Sequence, residues 1–106
     1  MKQDLQFLID RGYQEDIIGD LKPKGTRFFF KTTGLGYDSI GQVPNFEVYF
    51  YPRHFAFEME LTGCNQETHW IVIKIYGGVL SKTFKESIEK IEKDLIAAWL
   101  AVRDRK

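Results

Sequence analysis

The side chains that most often perform chemistry are few in this sequence. Nucleophilic catalysis would need the single cysteine, Cys64, or a serine beside His54 or His69, with a third group orienting the imidazole. Cys64 and His69 are five residues apart across a predicted loop. No catalytic signature surrounds them, and a lone cysteine is usually a small buried apolar residue. The sequence therefore predicts no catalytic residues, and the alternative is a small enzyme or ligand-binding protein with a pocket near His69, Cys64 and Arg53.

Metal and cofactor sites have equally little support. Two histidines and one cysteine are the only soft metal ligands, and their spacing fits no zinc pattern. The glycines Gly34 and Gly36 could belong to a phosphate-binding loop, but a dinucleotide fingerprint follows a strand and opens a helix. Here the glycines lead through further loop residues into a strand. We therefore expect no metal and no cofactor.

Composition excludes several other classes. A chain of 106 residues predicts one domain, residues 1–106. Fifteen basic and fifteen acidic residues give no net field, so neither nucleic acid nor an anionic membrane is an expected partner. The single cysteine fits a reducing compartment. The longest apolar run, Leu95 to Val102, is far shorter than the roughly twenty residues that span a bilayer. The sequence predicts a cytoplasmic protein.

The stretch from Phe46 to Leu61 predicts a central β-hairpin. Its side chains alternate with period two on both sides of a break at Pro52, which is typical of two strands and a turn. A two-residue turn at the break would place Glu47 opposite Glu58. The row of aromatic and aliphatic side chains predicts the face of the sheet that contacts the core.

Two further strands are predicted from Arg27 to Thr33 and from His69 to Tyr76. Residues 62–68 are expected to be a polar connection, and the glycine pair after Tyr76 is expected to end the last strand. Residues 14–20 fit either one more helical turn or an entry into the sheet. The basic side chains near the predicted turn, which include Arg27 and Lys31, are expected to be solvated.

Helices are predicted at both ends of the chain. Residues 3–11 carry an apolar stripe at helical spacing, and Gly12 would end this helix in a Schellman motif with Tyr13 packed on Leu8. Residues 83–103 predict a long helix that begins with a capping box, Thr83 and Glu86. The sequence thus predicts an α+β fold in the order α-β-β-β-β-α, an antiparallel sheet of about four strands with both helices packed on one face.

The hydrophobic core is predicted from the apolar rows of the strands and the stripe of the long helix. Its predicted members are Phe46, Val48, Phe50, Phe55, Phe57, Met59, Ile71, Ile73, Ile75, Ile88, Ile91 and Leu95.

The opposite face of the sheet is the predicted binding surface, because it combines aromatic rings with carboxylates. Tyrosine and tryptophan are enriched at interface hot spots, and carboxylates favour a basic partner. Its predicted members are Glu47, Tyr49, Tyr51, Glu58, Glu60, Trp70, Lys74 and Tyr76. The sequence therefore predicts a non-catalytic protein-binding module, such as an inhibitor, an immunity-type protein or a small adaptor.

Two other surfaces are candidates for contacts. The glycine-rich segment 34–45 carries Leu35, Tyr37 and Ile40, and long loops without secondary structure are often functional. The end of the second helix is apolar on all sides, which is typical of a helix buried on more than one side. Either the first helix covers it or a homodimer forms there. The homodimer would use Leu95, Ile96, Trp99 and Leu100.

Overall fold

The computed structural model contains one antiparallel sheet with a helix at each end of the chain. It describes residues 2–17, 24–34, 44–54, 56–65, 69–79 and 84–103. For residues 2, 52, 64–65, 69–77, 79 and 102–103 it describes the backbone alone. The elements are α1 (Lys2–Asp10), β1 (Gln14–Asp16), β2 (Arg27–Thr32), β3 (Asn45–Tyr51), a 3-10 turn (Pro52–His54), β4 (Ala56–Asn65), β5 (His69–Val79) and α2 (Phe84–Arg103). The predicted α+β fold is confirmed, and a short strand, β1, adds to the predicted four.

The end of α1 has the predicted Schellman geometry. The N–H of Gly12 donates to the carbonyl of Ile9, and the N–H of Tyr13 donates to the carbonyl of Leu8 over 2.9 Å. Gly12 has a φ of 98°, which glycine adopts without the steric cost that a side chain would add. Tyr13 is buried with Leu8 in the core, so the chain turns from α1 directly into the sheet.

Residues Gln14–Asp16 enter the sheet as its edge strand. They pair with β2, with Glu15 opposite Phe29, and all three side chains are exposed. Residues 14–20 were expected to form either one more helical turn or an entry into the sheet. The first three of them form a strand, so the second possibility is correct for these three. Residues 18–20, like Thr83 of the predicted capping box, lie outside the described residues.

The register of the central hairpin differs from the predicted one by two residues. Tyr49 lies opposite Glu58, and Glu47 lies opposite Glu60 rather than Glu58. The predicted two-residue turn was wrong because the 3-10 turn Pro52–His54 lengthens the connection. A shift of two residues preserves the alternation of side chains, so both faces keep their predicted members.

The last two strands are longer than predicted. β4 continues through Gly63 to Asn65, where a polar connection was expected, and β5 continues through Gly78 to Val79, where the glycines were expected to end it. Gly63 gives room to Trp99 of α2, since a Cβ at this position would lie 2.5 Å from the indole ring. A strand glycine that admits a close neighbour explains why this stretch resembles a loop in sequence.

The core lies between the sheet and the two helices. Every predicted core residue whose side chain is described is buried; Phe55, Ile71, Ile73 and Ile75 are not among them. The ring of Phe84, at the start of α2, contacts Phe50 and Phe57 at centroid distances of 5.4 and 5.1 Å. Burial on one face of β3 and β4 leaves their other face half-buried.

Two of the large apolar side chains near the end of α2 are buried within the same chain. Leu95 is fully buried and Trp99 is 3% exposed, both within the core of the same chain. Ile96 and Leu100 are half-buried and pack against that core. Leu95 and Trp99 are therefore enclosed by their own sheet and helices. The homodimer expected from the sequence stays a prediction.

Candidate functional site

The free face of the sheet is the side opposite the helices, and stacked aromatic rings form its centre. Phe28 of β2 stacks on Tyr49 of β3 at a centroid distance of 5.0 Å and on Phe30 at 6.2 Å. Register places Phe28 directly opposite Tyr49 and Phe30 opposite Glu47. All three rings are half-buried, so they combine a fixed geometry with accessible apolar surface.

Carboxylates line the same face beside these rings. Glu47 and Glu60 are cross-strand partners, and Glu58 lies opposite Tyr49. The hydroxyls of Tyr49 and Thr62 each donate to Glu47 over 3.1 Å. Burial, followed by the charges of Glu47 and Glu60, raises the pKa of Tyr49, so its hydroxyl stays a hydrogen-bond donor at neutral pH.

The structure thus brings together five of the predicted binding residues, Glu47, Tyr49, Tyr51, Glu58 and Glu60, on one half-buried face. It also adds Phe28 and Phe30, which the sequence analysis did not select. The alternation of side chains in β2 is the sequence feature that could have identified them. Phe29 lies between Arg27 and Lys31, and one face of this strand had to join the core. Phe29 is the buried member, which leaves Phe28 and Phe30 on the free face.

The β5 members of the predicted surface are Trp70, Lys74 and Tyr76, and their side chains lie outside the described residues. The backbone register shifts between Glu60 and Leu61, so that β5 contains an extra residue there. Tyr76 therefore pairs with Met59, a register that an unbroken alternation does not predict. The predicted roles of these three residues stay predictions. The second candidate surface, with Leu35, Tyr37 and Ile40, also lies outside the described residues.

The residues of the alternative pocket are separated along β4. Arg53 precedes this strand in the 3-10 turn, whereas Cys64 lies near its far end and pairs with Trp70. At about 3.3 Å per residue, the strand from Ala56 to Cys64 spans about 26 Å. A single small pocket cannot include Arg53 together with Cys64 and His69.

A second group of charged side chains lies on the covered side of the sheet. Glu92 of α2 is only 6% exposed. It accepts hydrogen bonds from Arg11 Nε over 3.0 Å, from the Tyr13 hydroxyl over 2.6 Å and from Lys31 Nζ over 3.1 Å. Lys31 Nζ also lies 4.7 Å from the centre of the Tyr13 ring. We call Arg11, Tyr13, Lys31 and Glu92 the Glu92 cluster.

The protonation states of the Glu92 cluster follow from its contacts. Burial by itself would raise the pKa of Glu92, but the hydrogen bonds from Arg11, Tyr13 and Lys31 outweigh burial and lower this pKa. Burial and the charge of Glu92 raise the pKa of Tyr13. Glu92 is therefore a carboxylate at neutral pH and Tyr13 a neutral donor. The arrangement pairs the buried charge of Glu92 with cations and hydrogen-bond donors, which is typical of a structural contact rather than of a reactive site.

Sequence reasoning missed the Glu92 cluster. Lys31 was expected to be solvated, yet it lies two residues from Phe29 on the covered face of β2. Glu92 lies one helical turn from both Ile88 and Leu95, within the apolar stripe of α2. For Glu92, the sequence feature that could have indicated burial was a charged residue within the apolar stripe of a helix.

Further observations limit what the described residues can do. Among them, no group of three histidine, cysteine, aspartate or glutamate side chains is arranged to hold a metal ion. Neither described helix combines the length and the apolar character needed to cross a lipid bilayer. Comparisons with protein-family models, with curated proteins and with solved structures found no match.

Proposed function

We propose that this protein is a non-catalytic binding module whose free sheet face engages a basic surface of a protein partner. The observation that carries the proposal is the stacked group Phe28, Phe30 and Tyr49, held beside Glu47 and Glu58 on a sheet face that no described helix covers. An inhibitor, an immunity-type protein or an adaptor would use such a surface in the same way.

The aromatic rings would supply the buried contact area. Phe28 and Tyr49 are fixed by stacking, so ordering them on binding costs little side-chain entropy. Large rings at the centre of a patch are the side chains that most often dominate binding energy. The half-buried state of these rings supports a role as a preformed contact surface.

The carboxylates would select the partner. Glu47, Glu58 and Glu60 occupy neighbouring cross-strand positions, so a partner with lysine or arginine side chains meets complementary charge. The same charges disfavour a second copy of this face, since carboxylates would then oppose carboxylates. A homodimer through Leu95, Ile96, Trp99 and Leu100 of α2 remains a separate prediction from the sequence, and of these four side chains Ile96 and Leu100 are the half-buried ones.

The test is capture of partners from cell lysate with the wild type and two variants, Phe28→Ala and Ile9→Ala. Calorimetry then measures the affinity of each form for a protein that the wild type retains. Phe28→Ala should weaken binding by about 2 kcal/mol or more if the ring is a hot spot. Ile9→Ala is the matched control, because Ile9 is an exposed apolar residue on α1. Affinity should also fall with rising salt, mainly through a slower association rate.

Circular dichroism must first establish that each variant is folded. A folded Phe28→Ala protein that retains the same partner with wild-type affinity would overturn the proposal for this face. Loss of binding in Ile9→Ala, with Phe28→Ala unaffected, would move the interface to the helix side of the protein.

A further inference from the structure

The Glu92 cluster joins three elements that are distant in sequence. Arg11 and Tyr13 follow α1, Lys31 belongs to β2, and Glu92 lies in the middle of α2. Glu92 is 79 residues from Tyr13 and 61 from Lys31 along the chain. Lys31 Nζ also donates to the backbone carbonyl of Arg11 over 3.3 Å, so it contacts the end of α1 directly.

The N-terminal segment, residues 2–13, depends on this cluster more than the rest of the fold does. An isolated helix shorter than about 12–15 residues is marginal in water, and α1 has nine. Its apolar anchors are Leu8 and Tyr13 in the core and the edge-on contact of Phe7 with Phe84 at 6.3 Å. Leu5 also packs against the core. The segment forms no strand, so side-chain packing, the hydrogen bonds to Glu92 and the contact of Lys31 with the Arg11 carbonyl attach it to the sheet and α2.

Protonation of Glu92 would remove the central charge of the attachment. Arg11 and Lys31 would then lie beside a neutral group, with the phenol of Tyr13 still facing it and the carboxylate of Glu89 near Arg11. The pKa of Glu92 is lower in the fold than its ordinary value of 4.5. Its contribution to stability is therefore complete above pH 4.5 and is lost as the pH falls through the lower, folded value.

We propose that the Glu92 cluster is an acid-sensitive latch, and that its protonation releases residues 2–13 from the sheet and α2 while the sheet itself remains folded. The release uncovers the apolar surface that Leu8 and Tyr13 occupy. The latch is independent of the binding function proposed for the free face, because it lies on the opposite side of the sheet.

The experiment is a pH titration from 7 downward, followed by amide NMR signals and by the fluorescence of a dye that binds apolar surface. In the wild type, signals from residues 2–13 should move to unstructured positions at a higher pH than signals from β3. Dye fluorescence should rise in the same step. Glu92→Gln, which is neutral at every pH, should show no such step because its segment is already released at pH 7.

Glu86→Gln is the matched control, since Glu86 is an exposed carboxylate in the first turn of α2, and it should keep the wild-type step. A wild-type step in Glu92→Gln would overturn the proposal. Simultaneous loss of the segment and of β3 in the wild type would also overturn it.

A second variant keeps the proposal testable if Glu92→Gln does not fold. Tyr13→Phe retains the carboxylate and removes one donor to it, which raises the pKa of Glu92. The step should then move upward by about 1–2 pH units, the equivalent of one hydrogen bond to a charged group. An unchanged midpoint in Tyr13→Phe would overturn the latch.

Discussion

On each side of the sheet a glutamate accepts a hydrogen bond from a tyrosine, Glu92 of α2 on the covered side and Glu47 of β3 on the free side, and the two pairs differ in their surroundings. On the covered face, Tyr13 donates to Glu92 over 2.6 Å, and two cations complete the group. On the free face, Tyr49 donates to Glu47 over 3.1 Å, and the hydroxyl of Thr62 donates to the same carboxylate. Glu92 is buried, whereas Glu47 is half-buried.

The difference reflects the cost of removing charge from water. A buried carboxylate without positive partners would be strongly unfavourable, so Glu92 exists in the core only with Arg11 and Lys31 beside it. Glu47 keeps contact with solvent, and its donors among the described residues are the neutral hydroxyls of Tyr49 and Thr62. The covered face therefore uses its charges to hold elements together, while the carboxylates of the free face remain suited to an external partner.

The largest difference in stability is expected when a phenylalanine is replaced by alanine on the covered face and, in a second variant, on the free face. Phe57 is buried against Phe84, and Phe57→Ala should destabilise the protein by about 3–5 kcal/mol. Phe28→Ala on the free face should cost about 1 kcal/mol, because a half-buried ring leaves no closed cavity. Urea unfolding of both variants at pH 7 measures the contrast. Equal costs would mean that the free face is packed against another part of the chain.

The sequence was sufficient to predict these faces, because alternation survives an error in register. The hairpin was predicted with a turn too short, yet a shift of two residues left every described core residue of β3 and β4 in place. The C-terminal end of β4 was less predictable. Gly63 reads as a loop residue until Trp99 of α2 is known to approach it, and that contact joins positions far apart in the chain.

The second contrast concerns the cations of β2. Lys31 contacts buried Glu92, and Lys31→Met should cost about 1–3 kcal/mol because it leaves a buried carboxylate with one cation fewer. Arg27 pairs with Glu15 at an exposed site, and Arg27→Met should cost less than about 1 kcal/mol. Thermal or urea unfolding at pH 7 tests both. A larger cost for Arg27→Met would contradict the assignment of Lys31 to the structural cluster.

The candidate site was predicted only in part for a related reason. The tyrosines and glutamates of β3 and β4 were found because their strands alternate clearly. Phe28 and Phe30 were not, because three consecutive phenylalanines do not reveal which one joins the core. Phe29 lies on the same side of β2 as Lys31, which contacts Glu92 of α2, and a contact between positions so far apart in the chain is not contained in the local pattern.

The smallest expected difference in stability is between the phenylalanine variants of Tyr49 and Tyr13. Tyr49→Phe removes the hydroxyl that donates to Glu47. Because Glu47 is only half-buried and water can replace this donor, the variant should lose about 0.5–1 kcal/mol of stability. Tyr13→Phe removes the donor of a buried carboxylate and should cost about 1–3 kcal/mol at pH 7, where Glu92 is charged. Urea unfolding of the two variants under the same conditions gives the difference. If Tyr49→Phe were as costly as Tyr13→Phe, Glu47 would be a structural tie like Glu92, and the free face would have a role in stability rather than being reserved for a partner.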